Sequence, residues 1–155
     1  LGNEALMEIL MAEDTSRGFN PNNARNPKKN KYIEPRESGE KNLIPGLSLY
    51  DPLRPADFSG RYHDPFGNEY VVSLDLNGDG VCADATYYRP SISESSPGEG
   101  YVGLVNFNKI KDINPDDVYV YKGEVMIWSL GPDQSGSMSA KAADEPNSDN
   151  ILSWH

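Results

Sequence analysis

Apolar and polar positions follow three successive rhythms along this chain. In the first, Leu6, Ile9, Leu10 and Glu13 recur at helical spacing behind Asn3, a residue type suited to capping a helix N-terminus. The spacing predicts a helix over residues 4–13. Ala5, Met7 and Met11 widen its apolar surface beyond one face, so this helix belongs deep in a core or continues into something apolar. Residues 14–69 carry a second, irregular pattern. Asn20-Pro21, Asn26-Pro27, Ile44-Pro45 and Asp51-Pro52 interrupt regular elements, which predicts a long excursion anchored by Phe19, Tyr32, Ile33, Leu47, Leu49 and Tyr50. From Tyr70 the third rhythm is that of strands. YVVSL is β-branched and aromatic, Asp75–Gly80 is a turn cluster, and return strands are expected within 81–88 and 101–107. VYVYKGEVMIWSL alternates about Lys122-Gly123, which predicts a hairpin over 118–130 with Tyr119 and Tyr121 opposite Val125, Ile127 and Ser129 or their neighbours.

One helix followed by three to five strands makes an α+β domain, the N-terminal helix packed on a small antiparallel sheet with long loops. A length of 155 residues suits one such domain, 1–155, made of a helix end (1–13), a variable loop region (14–69) and a sheet region (70–155). Fourteen Gly and twelve Pro make it turn-rich, while nine Tyr and two Trp supply the apolar faces of a folded core.

Charge narrows the partners. Residues 1–50 carry seven basic and seven acidic side chains, so the net charge of −10 lies wholly in the remainder. That half repels nucleic acid, which is not an expected partner, and attracts divalent cations. The basic run Arg25, Lys28, Lys29, Lys31 reads as a solvated loop able to touch lipid headgroups or phosphate. A single cysteine, Cys82, excludes an internal disulfide, and no apolar run approaches 18 residues, so the chain as it stands reads as soluble. Its abrupt start in an apolar helical pattern suggests a missing upstream segment. Of the two histidines, His63 is expected in a loop as a solvated partner of Asp64, and His155 ends the chain. Nothing resembles a nucleophile elbow, and the expectation is a protein that is not an enzyme.

Two Asp-rich stretches carry candidate chemistry. In DLNGDGVCAD, Asp75, Asn77 and Asp79 alternate ahead of Gly80, as at the start of an EF-hand loop, and the Val81 carbonyl falls at the seventh place. The twelfth place is Thr86 rather than a bidentate Glu, with Asp84 a conceivable substitute; a plain hairpin turn is the alternative. In residues 129–154 a strand end and a Gly-Pro turn precede a cluster of hard oxygen donors, closed by Ile151 and Trp154.

Three blocks resemble the globular domain of type II secretion major pseudopilins, which are type IV pilin-like. DPFGNEY (Asp64–Tyr70) is similar to the family's Asp-Pro-Trp-Gly-Asn-Pro-Tyr, with Phe66 for Trp and Glu69 for Pro. WSLGPDQ (Trp128–Gln134) is similar to its Ser-Leu-Gly-x-Asp-Gly strand end, with Gln134 for Gly. DNILSW (Asp149–Trp154) is similar to its closing Asp-Asp-Ile-x-x-Trp, with Asn150 for Asp, and the loop from Gln134 to Pro146 is longer than the family's. The resemblance implies calcium held before the terminal Trp by the Asp133 and Asp149 side chains, Asn147 as a further side-chain donor, and the Leu130 and Ser135 carbonyls. Asp144 and Glu145 lie in the inserted part, their roles open. It also implies a prepilin-type segment, cleaved and methylated, whose apolar helix anchors the subunit in the inner membrane with this domain on the periplasmic side. Partners would be other pilin or pseudopilin subunits of a filament and the secretion assembly machinery. The alternative is a calcium-dependent extracellular adhesion or carbohydrate-binding module, which needs no apolar helix upstream.

Overall fold

The computed structural model describes residues 2–14, 18–36, 46–48, 60–108 and 118–154. It is a mixed α+β protein whose strands form several small antiparallel sheets. The chain divides into two compact units, Leu1–Val71 and Val72–His155.

The first unit opens with α1, Asn3–Leu10. Its N-cap is Gly2, not Asn3, because the Asn3 side chain is used elsewhere. Asn3 Nδ2 donates to the Tyr62 and Tyr70 carbonyls (2.9 and 2.7 Å), and its Oδ1 accepts the Tyr62 N–H (2.9 Å). The predicted extension to residue 13 fails at Ala12, which turns into the left-handed region (φ 57°). There the Ala12 and Glu13 N–H groups return to the Ile9 and Glu8 carbonyls, satisfying the exposed helix end. Ala5, Met7 and Glu8 are buried, while Leu6, Ile9, Leu10 and Met11 are half-buried. The following excursion forms a 3₁₀ turn at Pro21–Asn23, and β1 (Gly46–Ser48) pairs antiparallel with β2 (Arg61–His63). His63 therefore lies on a strand rather than in a loop. Of the expected anchors Leu47 is buried, and Phe19 and Ile33 are half-buried. Tyr32 is 63% exposed, and Leu49 and Tyr50 lie outside the described residues. Asp64 closes the DPFGNEY turn: its Oδ1 accepts the Phe66 and Asn68 N–H groups and its Oδ2 the Asn68 amide.

The second unit holds two three-stranded sheets. One is ordered β10 (Ile151–Leu152), β9 (Val125–Ser129), β3 (Val71–Leu74); the other β4 (Val81–Cys82), β8 (Tyr119–Lys122), β7 (Leu104–Asn106). A single helical turn, α2 (Pro90–Ser93), leads into a ribbon of β5 (Glu94–Ser96) and β6 (Glu99–Gly100). The predicted hairpin over 118–130 does not form, because β8 and β9 belong to different sheets. A tight two-residue hairpin needs positive φ at its central residues, and neither Lys122 nor Gly123 has it. Glycine stands at 123 because the Tyr121 ring lies where a Cβ would be. The chain turns a corner there, and each strand completes its ladder with other partners.

The core between these elements is aromatic. Tyr87 meets Trp128 and Trp154 edge-on, with centroids 5.2 and 5.1 Å apart, and Met126, Ile92 and Leu152 fill around them. Cys82 is fully buried, which pushes its thiol pKa up and removes it from nucleophilic chemistry. Asp84, 2% exposed, is the polar centre of the unit. Its Oδ1 accepts the Thr86 and Tyr87 N–H groups (2.8 and 3.1 Å), and its Oδ2 accepts the Ser73 hydroxyl (2.7 Å) and Trp128 Nε1–H (3.1 Å).

Asp84→Asn should therefore cost about 2 kcal/mol or more in denaturant unfolding, since the isosteric amide aims a donor at donors and leaves them buried and unpaired. A loss under about 0.5 kcal/mol would show that the fold does not depend on Asp84. Burial pushes the Tyr87 hydroxyl up to about 12, with the Asn150 amide opposing and Asp84 adding to the rise. An unfolded tyrosine ionises near 10, so this contribution is intact below about pH 10 and disappears as pH rises toward 12. Urea unfolding across that window should show the decline, and Tyr87→Phe should flatten it.

Candidate metal centre

The loop between β9 and β10 is pinned at both ends before any metal is considered. Gly131, with φ +69°, lies so close to the Asp149 carbonyl that a Cβ would overlap it, which fixes the two arms of the loop together. The Asp133 N–H donates to Asp149 Oδ2 (3.0 Å), and the Ser135 N–H to Asp133 Oδ1 (2.8 Å). Lys141 in the longer part of the loop donates from Nζ to the Pro90 and Glu94 carbonyls (3.0 and 2.8 Å), capping α2. The neighbouring Ala142 is buried in the aromatic core and its N–H reaches the Ile92 carbonyl. The inserted residues are thus anchored structure.

These anchors bring three carboxylates together. Oxygen atoms of Asp133, Glu145 and Asp149 all lie within 4.8 Å of one another, a grouping that could hold a metal ion. Asp149 Oδ1 is buried and accepts no hydrogen bond, so a cation would satisfy an acceptor that the protein leaves unpaired. Three hard oxygen donors suit Ca²⁺ or Mg²⁺ better than a softer transition metal.

The sequence expectation placed Asp133 and Asp149 here, and the structure brings them together. Leu130 follows β9, half-buried against the core, and Ser135 follows the turn at 131–134. Asn147 does other work. Only 5% exposed, it accepts the Ser137 N–H at Oδ1 and donates from Nδ2 to the Ser137 and Ala140 carbonyls, 2.8 and 3.0 Å away. It organises the loop backbone. Glu145 is the residue that sequence reasoning left open. Asp144 and Glu145 are adjacent and equally acidic, and only the path of the backbone selects Glu145.

The other candidate, Asp75, Asn77, Asp79 and Val81, is a self-contained turn. Asp75 Oδ1 accepts the Asn77 and Gly78 N–H groups and Oδ2 that of Gly80 (2.7 Å). Asn77 Oδ1 accepts from Asp79 N–H, and Asp79 Oδ1 from Val81 N–H, while Val81 itself pairs with Lys122 on β8. Asp84, the conceivable twelfth-place substitute, is spent on its four interior donors. Among the described residues Asp75 and Asp79 join no group of three acidic, histidine or cysteine ligands.

Asn147→Ala should release the 137–141 segment, cost about 2–3 kcal/mol from lost buried hydrogen bonds, and make that segment the first site of limited proteolysis. Cleavage starting elsewhere at an unchanged rate would count against the anchoring role. Comparison with known proteins finds no relative: no family model, no curated protein and no solved structure matches the chain.

Proposed function

We propose that this chain is the globular part of a structural subunit of a type II secretion pseudopilus or type IV pilus-like filament, without enzymatic activity, in which calcium stabilises the C-terminal loop. The observation that carries the reading is the convergence of Asp133, Glu145 and Asp149 just before the buried Trp154. Two of these carboxylates are the ones that the pseudopilin resemblance assigned to calcium. The cation would do mechanical work. Three carboxylates at this spacing repel one another, and Trp154, 1% exposed, packs on Tyr87 only if the loop before it closes. Neutralising the triad therefore locks the chain end onto the core.

The filament reading places the domain on the periplasmic side of the inner membrane, held by an apolar helix upstream of α1. Among the described residues no helix is long and apolar enough to cross a membrane. The decisive observation is the sequence encoded just before Leu1. A Phe-Thr-Leu-x-Glu start to an apolar stretch of about twenty residues is expected. A plain secretory signal would instead favour an extracellular calcium-dependent module.

Calcium bound to the folded state alone adds about 2.7 kcal/mol at one hundred times Kd. For a chain of this length that is a rise in melting temperature of about 5–10 °C. EDTA should reverse it, Asp149→Ala should abolish it, and Mg²⁺ should substitute poorly because it holds its waters and demands a tighter octahedron. Identical melting in Ca²⁺ and EDTA would end the calcium assignment.

A further inference from the structure

Two exposed surfaces remain outside the cation site, one in each compact unit. In the first unit Arg25, Lys28, Lys29 and Lys31 place four cations within seven residues with no acidic side chain between them. All four are exposed, and among the described residues none makes an ion pair. The backbone beneath them is held firmly. Buried Asn26 donates to the Ile9 and Asn30 carbonyls (2.9 and 2.8 Å), and buried Asn20 donates to the Glu13 carbonyl and accepts the Arg25 N–H. Lys29 adopts a left-handed backbone (φ 52°), and the Tyr32 N–H reaches the Leu10 carbonyl while its ring stays in solvent. A basic loop with an exposed aromatic ring is thus presented in one fixed shape, which lowers the entropic cost of docking.

In the second unit Leu74, Leu76 and Val125 line a groove together with Gly78, Gly80, Asp75 and Glu124. Leu76 is 83% exposed, an unusual position for a leucine at the tip of a turn. The lining side chains are apolar or acidic, and exposed Asp79 adds to the rim.

We propose that the Arg25–Tyr32 loop of one copy docks into the Leu74–Gly80 groove of another, Tyr32 on the apolar bed and the lysines against Asp75, Asp79 and Glu124. Charge decides for a second copy over a lipid or nucleic-acid surface. Residues 72–155 carry thirteen acidic against five basic side chains, a field that repels polyanions and draws in the basic loop of a neighbour. Because the two patches differ, the contact is heterologous. It rests neither on the filament reading nor on bound calcium.

Sedimentation velocity on the chain over a concentration series tests it. At low salt the weight-average sedimentation coefficient should rise with concentration, and about 0.5 M salt should return it to the monomer value. K28E/K29E/K31E and D79K/E124K should each weaken association about tenfold or more, and an equimolar mixture of the two should recover it, since the unaltered loop of one then meets the unaltered groove of the other while reversed loop meets reversed groove. Recovery on mixing also shows that both variants are folded. Glu124→Lys alone, at an exposed position, and Leu76→Ser should give smaller losses of the same sign. A wild-type coefficient that does not change with concentration, or association indifferent to both reversals, would overturn the proposal. So would binding to phosphatidylglycerol vesicles that K28E/K29E/K31E abolishes in the absence of self-association.

Discussion

A carboxylate removed from water must be given hydrogen bonds, and the fold of residues 72–154 is arranged around one that is. Asp84 ties the chain after β4 to β3 through Ser73, to β9 through the Trp128 indole, and to its own turn through two backbone N–H groups. Because the two three-stranded sheets share no ladder, this side chain and the aromatic core are what relate them. The geometry leaves little freedom. Trp128 must present its N–H to Asp84, and in that pose its ring receives Tyr87 edge-on, which in turn receives Trp154. Burial of these rings supplies the apolar driving force, and Asp84 selects the arrangement that they adopt.

The C-terminal loop follows from the same packing. Trp154 holds one end and β9 the other, and Lys141 and Ala142 fasten the middle to α2, so the intervening polar residues have a restricted path. That path forces three carboxylates together and leaves one oxygen of Asp149 buried without a donor. An arrangement of this kind is unfavourable for the protein alone and favourable with a cation, the ordinary condition for coupling metal binding to order at a chain end.

The first unit solves a different problem with a different material. Its irregular segment has few apolar residues to bury, so buried asparagines replace the missing ladders. Half-buried Asn3 bridges β2 and the Tyr70 carbonyl, buried Asn26 binds the Ile9 carbonyl in the last turn of α1 and buried Asn20 the Glu13 carbonyl beyond it, and Asp64 gathers its own turn. Each amide offers two donors and an acceptor, enough to satisfy backbone groups outside the ladders. The surface residues between these anchors remain free for contacts of their own, which is how a basic loop can be both exposed and rigid.

The strand-rich second half, the turn at Asp75–Gly80 and α1 are visible in residue order, whereas the pairing of Asp133 with Asp149 is an expectation of the block resemblance alone. The first three depend on local periodicity and turn chemistry. What residue order did not reveal depends on partners distant along the chain. Asn3 reads as a helix cap until Tyr62 and Tyr70 claim its side chain. The 118–130 segment reads as a hairpin because alternation and a Lys-Gly pair are local signals, yet β4, β7, β3 and β10 compete for those edges and win. Asp84 resembles a spare metal ligand until four donors from three segments enclose it, and Glu145 is indistinguishable from Asp144 until the backbone brings one of them to Asp133 and Asp149. Local spacing located α1, the strands β3, β7, β8 and β9 and the turn at Asp75–Gly80, but not β1, β2, α2, β5, β6 or β10. Tertiary packing decided which polar side chains are structural and which carboxylates converge where a metal ion could sit, because that depends on the groups each one meets in three dimensions.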